Sequence, residues 1–169
     1  VPLMLADAPS RLVIEGGTHA MAAPPFEFLQ KTLLPVLERM GPKISITLER
    51  HGFFPRGGGR IVVDIDPAPL RPIECVTRGE FKAGKVEALV AGIPFDIADR
   101  ELKAARKVLA EWPDEAFAPV QLPAENGPGN ALLMVAEFEH VTEVMSGFGK
   151  LGVPAERLAK TAAKRMAGY

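Results

Sequence analysis

Ile44-Ser-Ile-Thr-Leu-Glu-Arg50-His51-Gly52-Phe53-Phe54-Pro55-Arg56-Gly57-Gly58-Gly59-Arg60-Ile61-Val-Val-Asp-Ile65 is the stretch whose reading decides the fold. Ile44, Ile46 and Leu48 alternate with polar residues, and Ile61, Val63 and Ile65 do the same on the far side of the glycines, so two antiparallel strands are expected. Working upstream, Phe26, Leu29, Leu33, Val36, Leu37 and Met40 recur every three or four residues, the period of an amphipathic helix that Pro35 should kink. Before that helix, Leu12-Val13-Ile14 reads as a short strand stopping at Gly16-Gly17, with a loop from Thr18 to Pro25. Strand, helix and paired strands make a compact α/β unit whose sheet buries one face under the helix.

Downstream, Asp66-Pro-Ala-Pro-Leu-Arg-Pro72 is too proline-rich for the interior of an element and marks a junction. Ile73–Thr77 and Val86–Val90 are candidate strands, and Asp96 is expected to cap a helix from Ile97 to Trp112. A polar loop from Pro113 to Gly129, an apolar strand from Ala131 to Phe138 and a helix opened by Pro154 and running to Met166 complete the chain. The fold class is α/β (α+β): one unit over residues 1–72, a second over 73–152, and a helix over 153–169. The start at Val1 and the end within a helical pattern give the expectation of an internal piece of a longer chain, and its truncated core is expected to self-associate.

The 169 residues are 47% apolar with a formal charge of −1, which excludes a disordered polymer and a general polyanion binder; contact with nucleic acid must be local. The single cysteine, Cys75, rules out an internal disulfide and suits a reducing compartment. No apolar run is long enough to span a bilayer, so no membrane partner is expected.

The hairpin from Arg50 to Arg60 is also the most informative stretch chemically. Glycines let backbone amides converge on an anion, and guanidinium groups pair with phosphate in bidentate fashion. A long bulged hairpin with solvated charges is the structural alternative. A second constellation, Gly16-Gly-Thr18-His19-Ala-Met-Ala-Ala-Pro24-Pro25, lies between strand and helix, where α/β folds often bind ligands. Its alternative is a tight turn with a rigid helix start, His19 being a loop residue. His19, His51 and His140 have no short metal-ligand spacing, so no metal residues are assigned. Glu137 and Glu139 read as a solvated sheet face, Gly147-Phe148-Gly149 is too short to define a nucleotide loop, and none of the three serines sits in a nucleophile elbow.

The string His51-Gly-Phe-Phe-Pro-Arg-Gly-Gly-Gly-Arg-Ile61 resembles the signature of the RNA 3′-terminal phosphate cyclases. Glu15-Gly-Gly-Thr-His19, Ala23-Pro-Pro-Phe-Glu-Phe28, Thr32 to Gly41, Gly127-Pro-Gly-Asn130 and Gly147-Phe-Gly-Lys150 extend the likeness along nearly the whole chain, most strongly over residues 11–66. The resemblance implies a large domain of βαβαββ repeats, of which residues 1–72 supply one, an inserted α/β domain over 73–152, and a last helix returning to the large domain. It implies a cytoplasmic, ligase-class enzyme of RNA processing or repair. Such an enzyme uses ATP and a divalent cation such as Mg2+ to turn an RNA 3′-phosphate into a 2′,3′-cyclic phosphate through enzyme–AMP and RNA–adenylate intermediates.

By the same resemblance Thr18, His19, Pro24, Pro25 and Phe148 lie at the nucleotide, while Arg50, His51, Arg56, Gly57, Gly58, Gly59 and Arg60 face RNA or phosphate. Ala20-Met21 departs from the family's usual Asn-Pro, which puts that loop's contribution in question. The adenylylated histidine matches neither His51 nor His140, so no catalytic residue is assigned within these residues and the chain alone is expected to be inactive. The alternative function is a non-catalytic cyclase-like protein that binds RNA or takes part in ribosome assembly.

Overall fold

The computed structural model describes residues 2–169. It is an α/β structure with two sheets. After a 3-10 turn (Pro2–Leu5), β1 (Ser10–Gly16) leads through the Gly16–Pro25 loop into a helical run made of α1 (Phe26–Phe28), a π-helical turn (Leu29–Leu33) and α2 (Leu34–Arg39). The π turn immediately precedes Pro35, whose missing N–H removes a rung of the α-helical ladder, so the expected kink takes the form of a widened turn. β2 (Lys43–Arg50) and β3 (Gly59–Asp66) then form the expected antiparallel pair, and β3 also pairs antiparallel with β1, giving the order β1-β3-β2. Met4, Ile44 and Ile65 are buried with Leu12, Leu34, Leu37 and Val63, so the apolar positions that alternate in sequence are those the helix covers.

The second sheet has the order β5-β4-β6-β7. β4 (Phe81–Ala91) passes through α3 (Asp96–Arg106) to the parallel edge strand β5 (Phe117–Leu122), and β6 (Gly129–Phe138) and β7 (Thr142–Phe148) follow antiparallel. β6 is central and covered on both faces, which is why its sequence reads as a continuous apolar run. α3 and α4 (Ala155–Ala167) cover one face of this sheet, where Leu102, Ala105, Ala159, Ala162, Ala163 and Met166 pack with Val86, Val90, Leu132 and Met134. α4 lies on the second sheet, where its small apolar stripe fits closely between β6, β7 and α3.

Several local expectations are corrected. Ile73–Thr77 forms no strand. The loop predicted from Pro113 to Gly129 contains β5, and β7 was not foreseen. Asp96 lies in the first turn of α3; Phe95 is the cap residue and provides no side-chain hydrogen bond. No described helix is long and apolar enough to cross a membrane.

Candidate functional site

The loop after β1 and the hairpin between β2 and β3 are locked together. Thr18 and His19 both donate their backbone N–H to the Gly52 carbonyl, at 2.9 and 3.1 Å, and the Gly52 N–H donates to Thr18 Oγ1 at 3.0 Å. Such contact needs glycine: a Cβ on Gly52 would lie 2.2 Å from the Gly59 nitrogen, and one on Gly59 would lie 2.6 Å from Thr18 Cγ2. At the tip, Gly57 and Gly58 have φ of +69° and +76°, which ordinary side chains disfavour. The Gly57 amide is used internally, donating to the Phe53 carbonyl at 2.7 Å, so at that position the tip is a self-bonded turn rather than an open cradle for an anion.

His19 lies in the loop after β1, yet it is buried and its ring is held at both nitrogens. Nδ1 lies 2.8 Å from Thr18 Oγ1, and Nε2 lies 3.0 Å from a carboxylate oxygen of Glu27 on α1. The His51 ring stacks on His19 with centroids 5.2 Å apart, and Phe53 packs against His19 at 5.5 Å. Burial alone would raise the Glu27 pKa, but the hydrogen bond and positive charge of His19 outweigh it and the net direction is downward. His51 is shifted down, by burial first and by the neighbouring His19 second. Donor atoms of His19, Glu27 and His51 all lie within 4.8 Å of one another.

The three hairpin arginines are differently engaged. Arg60 is claimed by two carboxylates, Glu15 at 2.6 Å and Glu49 at 2.7 Å, which raise its pKa. Arg56 donates to the Gly127 carbonyl at 3.1 Å and so reaches the loop before β6. Arg50 donates through Nε to the Gly58 carbonyl, which leaves its terminal nitrogens outside that bond. Phe53, 2% exposed, inserts against the second sheet beside Leu89, Ala91, Ala131 and Leu133, and Gly129 makes room for it.

Phe148, at the end of β7, lies on this same side. With His19, Ala20, Met21 and Phe53 it borders a small cleft, and with Met21, Lys150, Arg157 and Arg165 it lines a larger one of about 490 Å³. Among the described residues none of those three cations is in an ion pair, so the cleft sets an aromatic wall beside free positive charge, which suits a ligand with a flat apolar part and an anionic one. Pro24 and Pro25 line neither cleft; Pro25 is buried and accepts the first amide bonds of α1. The two-imidazole, one-carboxylate set does not fit Mg2+, which prefers an all-oxygen shell, so no step is assigned to that ion here.

Sequence reading missed Glu27, Phe53 and the Lys150–Arg157–Arg165 group. The three cations are scattered over a loop and a helix, and only the course of α4 brings them together. Glu27 had a readable cue: it opens a helix eight residues after His19, and a first-turn carboxylate commonly turns back toward the preceding loop.

The fold and the interlocked loops define a family-level comparison. The pattern of the family described as RNA 3′-terminal phosphate cyclase matches residues 1–163. The chain belongs to the RNA 3′-terminal phosphate cyclase family. It is 47% identical over 168 residues to the RNA 3′-terminal phosphate cyclase of Koribacter versatilis, covering 99% of this chain and 47% of that protein. It is 46% identical over 160 residues to that of Ectopseudomonas mendocina (95% and 47%), and 40% identical over 169 residues to that of Ralstonia nicotianae (99% and 48%). The chain thus spans about half the length of the curated relatives it matches.

Proposed function

We propose that this chain supplies the nucleotide- and RNA-facing surface of an ATP-dependent, ligase-class RNA 3′-terminal phosphate cyclase acting in cytoplasmic RNA processing or repair. In that reading residues 1–72 are one large-domain repeat, and the second sheet belongs to the inserted domain. The observation that carries it is the convergence of the Thr18–Met21 loop, the Arg/Gly hairpin and Phe148 beside Lys150, Arg157 and Arg165. Bound ATP would supply the AMP that activates an RNA 3′-phosphate, so that attack of the neighbouring 2′-hydroxyl on that phosphorus closes the cyclic phosphate and expels AMP.

This chain's own residues bind and orient. Phe148 and Met21 offer an apolar face for the base, the three cations hold phosphate, and the terminal nitrogens of Arg50 take the RNA end. In this reading the histidine that carries AMP is none of His19, His51 or His140: His19 is buried and held at both nitrogens, His140 sits beyond the opposite end of β6, and the sequence around His51 does not resemble that of the family's adenylylated histidine.

The test is direct. An RNA oligonucleotide ending in a 3′-phosphate should bind more tightly than its 3′-hydroxyl counterpart, and Arg50→Ala should weaken it about tenfold, the scale of one lost charge-assisted hydrogen bond. Intact-mass measurement after incubation with ATP, Mg2+ and that RNA should show no AMP on this chain. An adduct would overturn the placement of the nucleophile. Equal binding of both RNAs would favour a cyclase-like RNA binder without the 3′-phosphate chemistry.

A further inference from the structure

We propose that His19, Glu27 and His51 form a binding site for a divalent transition-metal ion of the zinc type, fastening the loop after β1 and α1 to the Arg/Gly hairpin. The donors come from three places far apart in sequence, yet lie within 4.8 Å of one another. A tetrahedral ion with bonds of about 2.0–2.2 Å separates its donors by about 3.4 Å, and the 3.0 Å His19–Glu27 contact needs to open by only a few tenths of an ångström to match. Two imidazoles and one carboxylate are a donor set for zinc and its neighbours, not for magnesium or calcium.

The surroundings of His19 support the assignment. A metal-bound imidazole donates its other N–H to a fixed oxygen, and Thr18 Oγ1 stands 2.8 Å from Nδ1. That hydroxyl is itself held, accepting from the Gly52 N–H at 3.0 Å, and its own proton can turn to the Gly52 carbonyl at 3.4 Å. With Nδ1 as the donor, the Nε2 lone pair points at Glu27 and takes the ion in place of a proton. His51 makes no side-chain hydrogen bond among the described residues and stacks on His19, so its ring can supply the third donor. Three protein donors leave at least one coordination position for water or a phosphate oxygen. The site needs neither ATP nor RNA and does not depend on the proposed cyclase activity.

The test uses this chain with Cys75→Ser, which removes the exposed thiol as a competing ligand. Titration with Co2+ should give d–d absorption saturating at one ion per chain, displaced by Zn2+ and not by millimolar Mg2+. His51→Asn and Glu27→Gln should each weaken binding at least about tenfold, while His140→Asn leaves it unchanged; far-UV circular dichroism checks that each variant is folded. Because His51 is half-buried and Glu27→Gln preserves shape, at least one of the two should fold and decide the matter. No saturable binding, unchanged affinity in a folded His51→Asn or Glu27→Gln variant, or equal loss in His140→Asn would overturn the site.

Discussion

Arg50 and Arg60 carry the same formal charge in the same hairpin, but their partners separate them. Arg60 lies between Glu15 and Glu49, so its field toward an approaching phosphate is largely cancelled. Arg60→Ala should therefore lower affinity for a 3′-phosphate RNA less than Arg50→Ala does, as fluorescence anisotropy at one fixed salt concentration would show. Glu101 on α3 is a different residue-scale case. It is fully buried beside β6, accepts a 2.5 Å hydrogen bond from Asn130 Nδ2 and leaves its other oxygen without a partner. Burial pushes its pKa up to about 8. The folded chain thus keeps a proton that the unfolded chain loses above about pH 4.5, and folding is favoured on the acid side. Stability should fall from about pH 5 to pH 8, at a slope approaching 1.4 kcal/mol per pH unit, and flatten above. Urea midpoints at pH 5.5, 7 and 8.5 should show this slope in the parent and its loss in Glu101→Gln.

Among the elements, the hairpin depends on glycine for contact as much as for turning. Gly59→Ala would drive a Cβ to within 2.8 Å of both the Gly16 carbonyl oxygen and the Gly52 nitrogen, so a loss of about 1–3 kcal/mol is expected from chemical denaturation. Strands with one covered face were readable: β2 and β3 alternate along their length, and the pattern alone identifies the side under the helix. β5 was hidden because Pro119 interrupts it, a residue tolerated only because the strand lies at the sheet edge. β7 was hidden by Glu143, Ser146 and Gly147, and Gly147 is small because Leu158 of α4 presses on it. Conversely, Ile73–Thr77 has strand-like composition but pairs with no strand. For the site, clusters local in sequence could be read, whereas the His19–Glu27–His51 group depends on two loops closing on one another.

For the molecule as a whole, Phe53 is a joint between the sheets, alongside the packing of the α1–π turn on β7. It belongs to the hairpin of the first and is buried against β4 and β6 of the second, with the Arg56–Gly127 hydrogen bond beside it. Phe53→Ala should cost about 3–5 kcal/mol and, by loosening the joint, split one thermal transition into two in calorimetry. A single transition at unchanged temperature would show that the sheets are coupled elsewhere. The seam also explains why a hairpin that reads from sequence as an Arg/Gly anion-binding turn is built with buried groups at its base.

The order β1-β3-β2 places one strand of the first sheet between two others. In deuterated water the amides of β3 should be the last in that sheet to exchange, since each faces a neighbouring strand on one side or the other. Along β1, where pairing exists on one side only and Val13 and Ile14 are half exposed, alternate amides should exchange early. This every-other-residue labelling would mark the edge along which the sheet can accept another strand.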